Sequence, residues 1–219
     1  RPKALLKMNG KSILEHQLEA IKAVGVSDIS IVRGYKKEEI QVPGVTMIDN
    51  EKWAATNAAH SLSLAASVMN QPYLALYSDV FFKRYLLRAM LDYSEECPSA
   101  DVILVCVRED YIDAGYYLRL NKKPDVLGND RELFVSEVCS GRGGEHEETA
   151  VYFSGLMMVN NHQAANRLLG GYEADHLSTA EFLCRALKEG LRLSVIMSSS
   201  EAIVDINSLK DLMKAGELV

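Results

Sequence analysis

Tyr73 to Phe82, YLALYSDVFF, is a near-continuous apolar run interrupted by one carboxylate, Asp79. A run this short and this apolar reads as a strand buried on both faces of a parallel sheet. Carboxylates are almost never fully buried without a partner, and in open α/β sheets ligands gather at the ends of such strands. Asp79 is therefore a candidate metal ligand, with an equal alternative from position alone: a strand-end aspartate that caps a turn or pairs with a lysine. The stretch Ser140-Gly141-Arg142-Gly143-Gly144-Glu145-His146-Glu147-Glu148 superficially offers a phosphate loop or metal ligands. It opens no helix and lacks GxxxxGK[ST], so it reads as a mobile loop and a candidate active-site lid. His16 and His60 have no partner spacing for catalysis and read as helix-surface residues.

The elements that must position Asp79 alternate. Ser12 and Glu15 form an S-x-x-E capping box ahead of Ile13, Leu14, Leu18 and Ile21 at helical spacing, which predicts a helix ending at Gly25. Strands are predicted over 28–32 and 45–48, a helix over 61–69 running into Pro72, the buried strand with Asp79, then a helix over 85–93. Val102 to Val107, VILVCV, is another fully apolar strand, and 117–120 with 134–138 reads as an antiparallel pair. A strand over 150–159, helices over 162–169 and 180–188, strands over 193–197 and 202–206, and a helix over 208–214 close the pattern. Such alternation implies an α/β fold, a mostly parallel sheet sandwiched by helices, in one domain.

Composition limits the partners. With 24 Lys and Arg against 30 Asp and Glu, a net charge of −6 argues against a phosphate-backbone ligand such as nucleic acid. No apolar run approaches the ~20 residues of a membrane-spanning helix, and no secretory signal pattern is visible. The 4 cysteines lack CxxC or Cys/His spacing, so they read as reduced thiols of a cytoplasmic protein and not as a zinc site.

The segment RPKALLKMNGKSILEHQLEAIKAVGVSDISIVRGYKKEEI resembles the opening of nucleotidylyltransferases of the sugar-phosphate and choline-phosphate type, just after their first phosphate loop. Pro2-Lys3-Ala4-Leu5, Asn9-Gly10-Lys11, the capped helix and Gly34-Tyr35 all fall in order. Asn50-Glu51-Lys52-Trp53, Thr56-Asn57 and Ser61-Leu62 are similar to a segment of the choline-phosphate cytidylyltransferase branch. Tyr77-Ser78-Asp79 stands where the family keeps its first magnesium aspartate, and Ile203 to Ser208 resembles the terminal segment carrying the second, Asp205. Val107-Arg108-Glu109-Asp110 is similar to a strand end of that branch. Nearly the whole chain takes part, although 122–148 matches poorly.

The resemblance implies a Rossmann-like, nucleotide-diphospho-sugar transferase-like fold with a small antiparallel extension. It implies Mg2+ on Asp79 and Asp205, Lys3 (on spacing alone equally an exposed lysine) stabilising the α-phosphate, and Asn57 and Ser61 at the nucleotide, although Asn before a helix is more often a cap. The implied reaction transfers CMP from CTP to a small acceptor, 2-aminoethylphosphonate or phosphocholine. For that acceptor, Arg108 could clamp the phosphorus group, while Glu109, Asp110 or Asp113 could hold an ammonium, surface ion pairs being the commoner use of such clusters. Tyr116, Tyr117 and Trp53 could form part of a cationic cage worth ~1–2 kcal/mol, core packing being the commoner use for at least one of them. The family begins with a strand and a Gly-rich loop ending in arginine, so that element is expected upstream of Arg1. Fusion behind another catalytic domain occurs in the branch, and a homo-oligomer stays open. The rivals are a sugar-1-phosphate nucleotidylyltransferase and a non-catalytic binding domain.

Overall fold

The computed structural model describes residues 1–108, 115–125, 132–141, 147–170, 177–199 and 201–219. A 3-10 turn, Lys3–Leu5, leads into a hairpin of β1 (Lys7–Met8) and β2 (Lys11–Ser12). Asn9 and Gly10 between them have φ of 48° and 87°, as a two-residue primed turn requires. Ser12 then caps α1 (Ile13–Ala23), with the Glu15 carboxylate accepting from the Ser12 amide at 2.6 Å, as S-x-x-E predicts. β3 (Ser30–Arg33) and β4 (Thr46–Asp49) pair in parallel as a separate sheet. The next helix, α2 (Ala58–Ala66), starts earlier than the expected Ser61. The cause is Asn57, whose side-chain oxygen accepts from the Ala59 and His60 amides and so begins the helix at once. His60 is 7% exposed on the buried face of α2, not on the surface as the sequence suggested.

The expected strand over 73–82 is two strands, β5 (Tyr73–Leu76) and β6 (Val80–Phe82). Between them the Val80 amide bonds back to the Tyr77 carbonyl at 3.3 Å. Every residue of β5 is half-buried and every residue of β6 buried, so the apolar run spans two environments. Next come α3 (Tyr85–Glu96), the fully buried β7 (Val102–Val107), and β8 (Tyr116–Leu120) paired antiparallel with β9 (Val135–Ser140). The buried β10 (Ala150–Val159), α4 (His162–Leu169), α5 (Thr179–Lys188), β11 (Leu193–Ser198), β12 (Ile203–Asp205) and α6 (Leu209–Leu218) complete the chain.

In the main sheet the order is β11-β7-β10-β8-β9, with β5 also on β10. β11 is parallel to β7, while β10 opposes β5, β7 and β8. The sheet is thus mixed: β5, β7 and β11 share one direction and β10 runs against it. One strand serves three partners because it kinks at Gly155, where φ is +89° and the register with β7 shifts. A Cβ there would lie 3.1 Å from both the Tyr77 ring base and Val80, so conformation and space both require glycine.

Residues of β7 alternate between two cores, as a strand period of two dictates. Val102, Leu104 and Cys106 face Leu169, Phe182 and Leu183 of α4 and α5; Ile103, Val105 and Val107 face Ile21, Leu87 and Met90 of α1 and α3. Helices therefore cover both sheet faces, as expected. β6 leaves this sheet and pairs antiparallel with β12, setting Val80 opposite Asp205. No helix among the described residues is long and apolar enough to cross a membrane.

Candidate functional site

Three distant segments meet where β5 ends. The 3-10 turn at the start of the chain presents Lys3, the β5–β6 turn presents Asp79, and the end of β12 presents Asp205 with Asn207 two residues on. Pairing of β6 with β12 forces this meeting, and the Ile206 amide donates to the Asp79 carbonyl at 2.9 Å. Lys3 Nζ donates to Asp79 Oδ2 at 3.2 Å and to Asn207 Oδ1 at 2.6 Å. Asn207 Nδ2 in turn donates to Asp205 Oδ2 at 2.7 Å. One cation and one amide thus join both carboxylates in a continuous chain of bonds.

The electrostatics fit a cation site. Burial pushes the Asp205 carboxyl above its usual range, and the negative charge of Asp79 adds to that, with Asn207 and Lys3 partly offsetting both. Two like charges held together this way favour a further cation. The Lys3–Asp79 pair is loose: their side chains are 47% and 29% exposed, and pairs of that kind are worth ~0–1 kcal/mol. Lys3 can therefore exchange a carboxylate for a phosphate oxygen at little cost. The carboxylate oxygens of Asp79 and Asp205 are hard, the kind that magnesium selects. Among the described residues no group of three or more His, Cys, Asp or Glu could hold a metal. Two carboxylates are what this site offers, and magnesium commonly takes one or two and completes its shell with phosphate oxygens and water.

Other residues singled out from the sequence lie elsewhere. Asn57 caps α2, and the Ser61 hydroxyl accepts from the Asn50 amide at 3.2 Å, so both side chains have structural partners. Trp53 stands edge-on to Tyr35, with ring centroids 5.2 Å apart, beside the β3–β4 sheet. Tyr116 and Tyr117 are consecutive on β8 and join opposite cores. Burial raises the Tyr116 hydroxyl far above its usual range, and the ring of Tyr117 already carries the Arg119 guanidinium at 6.0 Å. Trp53, Tyr116 and Tyr117 therefore do not share one cage; each packs against a different neighbour. Arg108 lies exposed at the end of β7 and donates to the Glu148 carbonyl at 3.4 Å. Glu109, with Asp110, Tyr111 and Asp113, is outside the described residues, as is most of the Gly-rich stretch read as a lid. Its last residues are engaged: Glu147 with Arg119 at 2.6 Å, and Glu148 with Lys123. Asn207 stands in the 203–208 segment that carries the resemblance, next to Ser208, which caps α6; its bonds to Lys3 and Asp205 depend on tertiary pairing.

A family model described as the MobA-like NTP transferase domain matches residues 1–173. A choline-phosphate cytidylyltransferase from Streptococcus pneumoniae is 35% identical over 86 residues, covering 37% of this chain and 38% of that protein. A 2-aminoethylphosphonate cytidylyltransferase from Lancefieldella rimae is 32% identical over 75 residues, covering 32% of this chain and 30% of that protein. The chain thus aligns with well under half the length of each relative. An inositol-1-phosphate CTP transferase from T. maritima superposes with a TM-score of 0.74 at 17% identity, over 100% of this chain and 86% of that one. At such low identity the likeness concerns the fold.

Proposed function

The chain belongs to the MobA-like NTP transferase domain family, and from that premise we propose that it is the core of a Mg2+-dependent cytidylyltransferase. It transfers CMP from CTP to a small zwitterionic phosphate or phosphonate and releases pyrophosphate. The carrying observation is the convergence of Lys3, Asp79, Asn207 and Asp205. CTP and the acceptor class rest on the relatives' names.

In this reading an oxygen of the acceptor attacks the α-phosphorus, and pyrophosphate leaves from the opposite side. Negative charge grows on the phosphoryl oxygens and on the leaving group. Asp79 and Asp205 would hold the magnesium ion, which when bound neutralises phosphate charge. Lys3 leaves its loose pair with Asp79 and donates to an α-phosphate oxygen as that charge develops. Asn207 holds Asp205 through one end of its amide and steadies the Lys3 ammonium through the other. Arg108, with five N–H donors on an exposed guanidinium, suits the acceptor's phosphorus group. Of the two acceptors, 2-aminoethylphosphonate is favoured. A primary ammonium wants hydrogen-bonding carboxylates, and the sequence after Arg108 is dense in them at Glu109, Asp110 and Asp113, while the three aromatic candidates do not assemble a cage.

The resemblance implies a Gly-rich loop as the triphosphate cradle, and the fold has a place for the strand that would carry it. Among the described residues, β3 pairs with β4 and β5 with β10, leaving one edge of each unpaired, and all their residues are half-buried. Ile29 beside β3 and Leu74 and Leu76 of β5 pack on the same core cluster. One further strand would fill that place, and the Gly-rich loop after it would then lie beside Lys3 and Asp79. The test is pyrophosphate release from CTP by protein carrying its upstream segment, with 2-aminoethylphosphonate, phosphocholine and a sugar-1-phosphate compared in parallel. Release with a small amino-phosphonate or choline-phosphate acceptor is expected. Activity confined to the sugar phosphate, or none with any acceptor, would contradict the reading.

A further inference from the structure

Gln17 breaks the apolar face of α1. It sits one turn from both Ile13 and Ile21, where a Leu or Met would continue the stripe, yet it is 6% exposed. A buried amide is costly unless its donors are met. Gln17 Nε2 meets them on the Asp79 turn, donating to the Tyr77 carbonyl at 2.8 Å and to the Val80 carbonyl at 2.7 Å. Two carbonyl acceptors leave no choice of amide orientation, because only the NH2 end can face them.

Those carbonyls flank Asp79 on both sides, so one planar NH2 group clamps the turn from Tyr77 to Val80. Backbone bonds hold the rest of it: the Tyr77 amide donates to the Gly155 carbonyl and the Ile206 amide to the Asp79 carbonyl, both at 2.9 Å. The Tyr77 ring meanwhile packs on Gly155 and its hydroxyl bonds Thr179. A site built from two carboxylates, one on a turn and one on a strand, tolerates little displacement of either, and the residues orienting the ligands typically set affinity.

We propose that Gln17 is a positioning residue: by bonding both carbonyls that flank Asp79 it presets that carboxylate toward Asp205 and so sets the divalent-cation affinity of the site. This rests on the metal-site reading above. In Gln17→Met the length and volume are kept and both donors removed. Expected is a rise in the Mn2+ dissociation constant, measured with CTP present in protein carrying its upstream segment, of about 10- to 100-fold. Excess metal should recover most of kcat, and amide exchange should quicken in residues 77–82 while β7 stays protected. Leu169→Ala, a core cavity in α4 away from the turn, is the control for general destabilisation, with Mn2+ affinity expected to hold. If Gln17→Met does not fold, Gln17→Asn, whose amide is withdrawn by one methylene, is read by the same criteria. A folded Gln17 variant with wild-type Mn2+ affinity, or one that loses no more than Leu169→Ala at equal Tm, overturns the inference. Asp79→Asn separates the two claims. If it loses metal while Gln17→Met keeps it, the role of Gln17 fails alone; if it binds Mn2+ like wild type, the site reading fails as well.

Discussion

At the junction of β5, β6 and β12, the side chains of Lys3, Asp79 and Asn207 turn toward one another; at the start of α2, those of Asn50, Asn57 and Ser61 turn back onto neighbouring backbone and each other. Both groups are polar, lie at element ends and fall in segments that resemble a nucleotidylyltransferase. What separates them is what their neighbours need. A helix start has orphan amides, and Asn57 satisfies two of them. The β5–β6 turn satisfies its backbone through Gly155, Ile206 and Gln17, which leaves the Asp79 carboxylate to oppose Asp205. Like charges brought together without a backbone reason are a better mark of a ligand site than polarity at a strand or helix end.

Substitutions can break that contrast in order of expected effect. Asp79→Asn should cost the most, about 10³-fold in kcat or more, while its partly exposed position keeps Tm near wild type. Steady-state kinetics beside a thermal melt checks this, and a variant that is merely unfolded would blur the contrast. Lys3→Ala should lower kcat by about 10²-fold, more than it raises the KM for CTP, because its charge matters most as the transition state forms. An unchanged kcat would make Lys3 a surface residue. Asn207→Ala removes the link between Lys3 and Asp205, and about a 10-fold loss is expected in kcat/KM at limiting Mg2+. On the other side of the comparison, Asn57→Ala should cost about 1 kcal/mol of stability by uncapping α2, with kcat/KM per folded molecule retained. A large kcat/KM loss would restore Asn57 to nucleotide binding. Trp53→Ala removes an exposed ring pair worth about 0.5–1.5 kcal/mol, comparable in stability cost to Asn57→Ala, and should leave the acceptor KM unchanged.

Local signals carried the elements well. The capping box at Ser12 and Glu15 set the start of α1, and the apolar run of β7 is buried at every position. The β1–β2 hairpin was missed in the sequence, although Asn9-Gly10 signals it, since both residues reach positive φ readily. The break at Tyr77–Asp79 was not legible, because apolarity shows that a strand is buried and not which sheet buries it. Here the partner of β6 is β12, near the other end of the chain. Asp79 and Asp205 could be matched from sequence only through the resemblance. Their shared bond network required the fold. Packing, the commoner use for at least one of the three aromatics, holds for a simple reason: consecutive residues of a strand point to opposite faces, and Tyr116 and Tyr117 are consecutive. Gln17 did leave a trace, a polar residue in an otherwise apolar helical stripe.

Counting bound Mn2+ by electron paramagnetic resonance, with CTP present and the upstream segment in place, tests most directly whether Asp79 and Asp205 form one cation site. Wild-type protein should bind the ion at this site, and Asp79→Asn and Asp205→Asn should each lose it while remaining folded. Undiminished Mn2+ binding in both folded variants would contradict the assignment.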